Sequence, residues 1–237
     1  MFFLLSGEGV TDIGAGKKDT PLCQGEDFVR GPMAVIVDQI VQARHSYSIL
    51  DGACGFVPEK HLTQRARELK AAKKELRLPG KKRTRETRYF FNNARVLSRM
   101  AKEKAAELED DVVAVLFRDA DGTASAGRGM WNDKRQSMLD GFDEEAFSKG
   151  VPMIPKPKSE AWLICALRKH AYQNCHALEE RSGNDNSPNS LKGELAKILG
   201  TPITPVLLCD KVRTTFDIDR ITMPSFRAFR QRLEEVI

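Results

Sequence analysis

Three carboxylates, Glu8, Asp119 and Asp121, stand just past short apolar runs. Phe2-Phe3-Leu4-Leu5 leads into Ser6-Gly7-Glu8-Gly9-Val10-Thr11-Asp12, and residues 112–117 lead into Arg118-Asp119-Ala120-Asp121-Gly122-Thr123. Carboxylates brought together repel one another, and a hard cation such as Mg²⁺ or Mn²⁺ relieves the repulsion. Cations held in this way polarise a phosphoryl oxygen, activate water and stabilise a leaving oxygen, which is what phosphodiester hydrolysis needs. Asp119 and Asp121, at i and i+2, leave an extended chain on the same side and suit a shared metal. Glu160 follows a fourth short apolar run and could complete a second site, with Lys156 or Lys158 countering charge on a phosphate. Each residue also has a bland reading. Glu8 fits a turn, Asp119 and Asp121 fit turn caps, and Glu160 complements a helix N-terminus.

Such groups meet only if the elements behind them are parallel strands. Both apolar runs are short, β-branched or aromatic, and bounded by polar segments, as in strands buried on both faces. Ligands of open α/β sheets sit beyond the carboxyl ends of the strands. The pattern predicts an α/β chain, a Rossmann-like, mainly parallel sheet with helices on both faces, over 1–237 as one domain. Strands are expected at the start of the chain, at 47–50, at 112–117 and at 151–154. Residues 13–31 read as a long Gly-rich loop. Helices are expected from Pro32, over 61–77 and 90–108, near 133–147, over 161–167 and in the amphipathic tail 224–237, where Phe226, Phe229, Leu233 and Val236 share a face. Residues 181–190 read as a surface loop.

Residues 59–108 are expected to form a helical hairpin, read as an insertion or an elongated cover. Residues 59–104 carry 16 Lys plus Arg against 5 Glu and no Asp, a balance of +11 in a chain of net charge +5, so the remainder sums to −6. Lys81, Lys82, Arg83, Arg85 and Arg88 are its densest part. Clustered cations gain affinity for a phosphate backbone by counterion release, and Tyr89 could stack on a base. The bland alternative is a solvated face. No apolar run approaches the ~20 residues of a membrane span. The five scattered cysteines predict reduced thiols and a cytoplasmic protein. Cys165, His170, Cys175 and His176 lack the spacing of a zinc ribbon or finger.

The Glu8-Gly9-Val10-Thr11-Asp12 loop together with Asp119-Ala120-Asp121 resembles the Toprim fold of topoisomerases, primases, OLD nucleases and recombination proteins. The resemblance implies that Glu8 is a general acid/base or metal ligand and that Asp119 and Asp121 hold Mg²⁺. Pro155-Lys-Pro-Lys-Ser-Glu160-Ala-Trp-Leu and Ser225-Phe226-Arg-Ala-Phe229 resemble the "EAWL" and "SFxxF" segments of a Toprim-like bacterial branch, some of whose members are associated with phage or mobile-element defence. The expected activity is metal-dependent nucleic-acid cleavage. No Gly-x4-Gly-Lys-Ser/Thr is present, so an OLD-like enzyme would need a separate ATPase partner. Asp119-Ala-Asp121-Gly-Thr123 also matches the haloacid-dehalogenase phosphatases, with Asp119 as nucleophile, Asp121 as acid/base and Lys134 and Asp210 as weak partners. A non-catalytic Toprim-like binding module is a further alternative. An EF-hand is excluded, because its twelfth position would be Met130.

Overall fold

The computed structural model describes residues 1–72, 85–120 and 130–237. Four parallel strands form its centre: β1 (Phe2–Gly7), β5 (Cys54–Pro58), β6 (Val112–Phe117) and β7 (Gly150–Met153). A short strand, β3 (Cys23–Gln24), adds antiparallel to β5 at the edge, giving the order β3-β5-β1-β6-β7. Chain order therefore reverses at β1. The connection to β5 runs one way, and the return to β6 passes to β1's other side.

Continuous apolar runs arise because each strand feeds two cores. Phe3, Leu5, Val113, Val115 and Phe117 face one core. It is covered by α1 (Pro32–His45), α5 (Ser159–Leu167), α6 (Leu191–Leu199), α7 (Pro205–Thr215) and α8 (Pro224–Val236). Phe2, Leu4, Val112, Ala114 and Leu116 face the other, under α2 (Glu59–Ala72), α3 (Arg85–Leu108) and α4 (Trp131–Glu144). Each fully buried Phe, Leu or Val contributes about 1.5–3 kcal/mol relative to exposure. Phe90, Ala94, Leu97 and Ala101 of α3 are all in this second core. The helix is therefore a cover of the sheet. Arg95 and Arg99 clasp it to α4 through Glu145, at 2.7 and 2.8 Å.

The second strand is not where the apolar run 47–50 predicts it. Ser46, in the left-handed region (φ 57°), ends α1. Asp38 Oδ1 then accepts the amide of Ile49 at 2.8 Å and the Ser48 hydroxyl at 3.0 Å, holding this stretch as a turn. The strand proper, Cys54-Gly-Phe-Val-Pro, is disguised by its Gly and Pro. Residues 13–31 are also more ordered than a loop: β2 (Gly14–Gly16) and β4 (Phe28–Arg30) pair antiparallel. The thiols differ from expectation as well. After α5 the chain turns through left-handed Tyr172 and Asn174, and Cys175 returns to form a disulfide with Cys165, Cα atoms 5.3 Å apart. Cys23, Cys54 and Cys209 are free and buried. No helix among the described residues is long and apolar enough to cross a membrane.

The "EAWL" and "SFxxF" segments meet in the first core. Trp162 stacks on Phe229 (centroids 5.8 Å apart) and packs edge-on to Phe226 (5.0 Å). Its indole N–H donates to Ser225 Oγ at 2.8 Å, and Ser225 donates through both amide and hydroxyl to buried Glu179. Ser225→Ala removes the indole's acceptor and one donor to a buried carboxylate. It should cost about 2–3 kcal/mol in urea unfolding; a loss within ~0.5 kcal/mol, the range of ordinary surface changes, would show the relay to be incidental.

Candidate active site at the strand ends

In a doubly wound sheet the crevice opens where strand order reverses, here between β1 and β6. The two strand ends lie very close: a Cβ on Gly7 would stand 2.7 Å from the Phe117 carbonyl oxygen. Glycine at this position lets Glu8 and Arg118-Asp119 emerge side by side. After Glu8 the chain makes one wide helical turn, Gly9–Ile13, that carries Asp12 back towards the crevice. Past β6 the chain stays tied to the neighbouring strand's extension. The Arg118 amide donates to Met153 and the Ala120 amide to Pro155, both at 3.0 Å. From below, the buried Lys134 amine, 2% exposed, donates to the Ala120 carbonyl.

Ser159 joins the two acidic loops. Its amide, at the start of α5, donates to Asp119 Oδ1 at 2.9 Å, and its hydroxyl donates to Asp12 Oδ1. Ser159 is the first residue of α5, after Lys158 at the N-cap position, and its side chain points to another element's carboxylate. Glu160 follows it, with Oε2 buried and without a hydrogen-bond partner. Lys158 lies beside this group and is ion-paired with Asp185 at 3.0 Å. Lys156 pairs with Glu180 at 2.9 Å.

Burial pushes the Asp12 carboxyl up to about 7. Glu160 and Glu8 add to the rise, while the Ser159 hydroxyl and Lys158 oppose it. Burial also raises Glu160. The folded state thus keeps a proton on Asp12 that the unfolded chain releases near 3.8. This group costs no stability below that pH. The cost grows as pH rises between the two values and levels off above about 7. In EDTA, wild-type protein should lose about 1–3 kcal/mol relative to Asp12→Asn between pH 5 and 8.5. Parallel stability curves for the two proteins would contradict this.

The structure brings together Glu8, Asp12, Asp119, Ser159 and Glu160. Asp121, Lys81, Lys82 and Arg83 lie outside the described residues. Arg85 begins α3, and Arg88, in its first turn, is exposed. Several cations of the basic segment are engaged internally: Lys60 with Asp19 at 2.6 Å, Arg65 with Glu103 at 2.9 Å and Lys104 with Glu107 at 2.7 Å. Tyr89, expected as a base-stacking residue, carries the Arg118 guanidinium 4.1 Å from its ring centroid. Asp210 is exposed on α7.

Sequence reading gave no role to Asp12, Ser159 or Arg118. Asp12 has a recognisable signal, a carboxylate four residues after Glu8 in a Gly-rich turn. Ser159 has none, because its partners come from two distant loops. Among the described residues no three His, Cys, Asp or Glu side chains are grouped so as to hold a metal ion. The donors fit a hard divalent cation in kind, since they are carboxylate oxygens and one is buried without a partner. Compared with known proteins, the chain matches no family model, no curated protein and no solved structure.

Proposed function

We propose that this chain is a Toprim-like, metal-dependent nuclease that hydrolyses phosphodiester bonds of nucleic acid. The observation that carries the reading is the Ser159 bridge, which ties the Asp12 loop after β1 to the Asp119 loop after β6 at the reversal of strand order. Glu8, Asp119, Asp121 and Glu160 would hold Mg²⁺ or Mn²⁺. The cation would supply charge neutralisation at the phosphoryl oxygens and a more acidic water. Glu8, 39% exposed at the crevice, takes the proton of the attacking water or returns one to the leaving oxygen. Lys158 offsets phosphate charge from the α5 side. A separate ATPase partner and a role in phage or mobile-element defence belong to the same reading.

A second reading has one observation in its favour: Lys134 comes close to the Asp119 loop, donating to the carbonyl of Ala120 between Asp119 and Asp121, and a phosphatase with an Asp119 nucleophile needs a lysine nearby. The two separate on a substrate panel of plasmid, linear DNA, RNA and a chromogenic phosphomonoester, each with Mg²⁺, Mn²⁺ or EDTA. Nuclease action predicts cation-dependent cleavage of a polymer and little monoester turnover. Monoester turnover without polymer cleavage would select the phosphatase, and metal-independent binding alone the non-catalytic module.

The basic segment is proposed as the docking surface for the phosphate backbone. Replacing Lys81, Lys82, Arg83 and Arg85 together with Gln should weaken binding about equally across sequences. It should also flatten log affinity against log salt by up to ~0.9 per lost duplex contact. An unchanged slope in the folded variant would assign these charges to solvent or to a protein partner.

A further inference from the structure

We propose that Arg118 is the phosphate-receiving residue of this site, held by Glu8 and Glu59 until a divalent cation takes over the Glu8 carboxylate. The inference rests on the nuclease reading and adds to it a residue and an order of events. Arg118 sits between the end of β6 and Asp119, so its guanidinium lies at the reversal of strand order. Nη2 is 3.5 Å from Glu8 Oε2, and Nη1 is 3.1 Å from Glu59 Oε1, at the start of α2. Tyr89 lies under the guanidinium at 4.1 Å, and Phe90 is 5.7 Å away. The Tyr89 hydroxyl is buried without a hydrogen-bond partner, so its place under the guanidinium does not depend on one. The small cleft between the strand ends and α3 is lined by Gly7, Glu59, Tyr89, Asn93 and Arg118.

These contacts preorganise a flat, delocalised cation without consuming it. An aromatic ring below fixes the guanidinium plane, and that plane suits two parallel hydrogen bonds to phosphate oxygens. The Glu8 contact is long and partly exposed, with side-chain exposures of 26% for Arg118 and 39% for Glu8. Pairs of that kind are weak and exchange readily. A cation on Glu8 removes one of the two carboxylates competing for Arg118, and a phosphate oxygen can take that place. Cation and substrate phosphate should therefore strengthen each other's binding, a reciprocal coupling.

The test uses Ca²⁺ and a fluorescein-labelled single-stranded DNA with phosphorothioate linkages, alongside its RNA counterpart. Anisotropy measures oligonucleotide affinity with Ca²⁺ or with EDTA, and calorimetry measures Ca²⁺ affinity of the protein alone. For wild type, Ca²⁺ should tighten oligonucleotide binding within the roughly 5–150-fold range of such couplings. In Arg118→Ala and Arg118→Gln, both checked for an unchanged melting temperature, Ca²⁺ affinity should be equal or higher, because Glu8 loses a competitor. The enhancement of oligonucleotide binding should fall below about 2-fold, outside that range. Should Arg118→Ala fail to fold, Arg118→Gln decides. Full coupling in a folded variant overturns the inference, as does loss of Ca²⁺ affinity in step with oligonucleotide affinity, which would make Arg118 a builder of the site. Wild type that binds both without coupling overturns the inference alone. Wild type that binds neither removes the nuclease reading and this inference with it.

Discussion

Asp119→Ala is expected to reduce phosphodiester cleavage by about 10³-fold or more, since a lost carboxylate ligand forfeits several kcal/mol of cation-borne charge stabilisation. Asp119 also has a structural duty. Its Oδ1 accepts the Ser159 amide at the start of α5, and loss of such an acceptor costs about 0.5–2 kcal/mol. The alanine variant alone would confuse the two effects. Asp119→Asn separates them, because its amide oxygen still accepts the Ser159 N–H while the charge is gone. Single-turnover cleavage should collapse in both variants, whereas the urea midpoint should drop chiefly in the alanine one. Activity in Asp119→Asn near wild type would make the residue a cap and nothing more.

Glu8→Gln should be about as damaging, in the 10²–10⁴-fold range of a lost general acid/base. Its side chain is partly exposed and its ion pair with Arg118 is long, at 3.5 Å, and Gln keeps the size of the side chain, so the exchange should leave the fold intact. This substitution also bears on the phosphatase alternative. A phosphatase built on Asp119 would form an aspartyl-phosphate there and would have no need of Glu8. Full activity in Glu8→Gln, or a phosphorylated Asp119 trapped by acid quench, would transfer the chemistry to the phosphatase reading.

The elements that carry the acidic residues were readable because both halves of the signal were local. β1 and β6 are unbroken apolar runs, since each residue meets a core on one face or the other. Pro32 marked the start of α1, and the spacing of Phe90, Ala94, Leu97 and Ala101 marked the buried face of α3. The amphipathic tail is α8, with Phe226, Phe229, Leu233 and Val236 buried as its spacing predicts. The second strand was misplaced because a tertiary contact outweighed local preference. Residues 47–50 look extended, but buried Asp38 collects their amides into a turn. Gly55 and Pro58 hide the real strand from any propensity argument.

The site was readable in its strand-end carboxylates and opaque in what joins them. Glu8 and Asp119 follow their strands directly, so topology alone predicts their proximity. Ser159 contacts Asp12 across 147 residues and has the sequence signature of an ordinary cap. Arg118 looks like a solvated charge until Tyr89 and Glu59 are seen around it. The disulfide was missed for a related reason: the spacing of Cys165 and Cys175 carries no framework, and only the turn through Tyr172 and Asn174 returns one to the other.

On the proposed function, carboxylates at the strand reversal hold a cation that supports phosphodiester hydrolysis. The most direct measurement is single-turnover cleavage of end-labelled DNA and RNA at pH 8, titrated with Mg²⁺ and repeated in excess EDTA, for wild type and Asp119→Asn. Cleavage by wild type should rise with Mg²⁺ to saturation, vanish in EDTA and be lost at all Mg²⁺ concentrations in Asp119→Asn. Cleavage that persists in EDTA, or that Asp119→Asn supports at the wild-type rate, would contradict it.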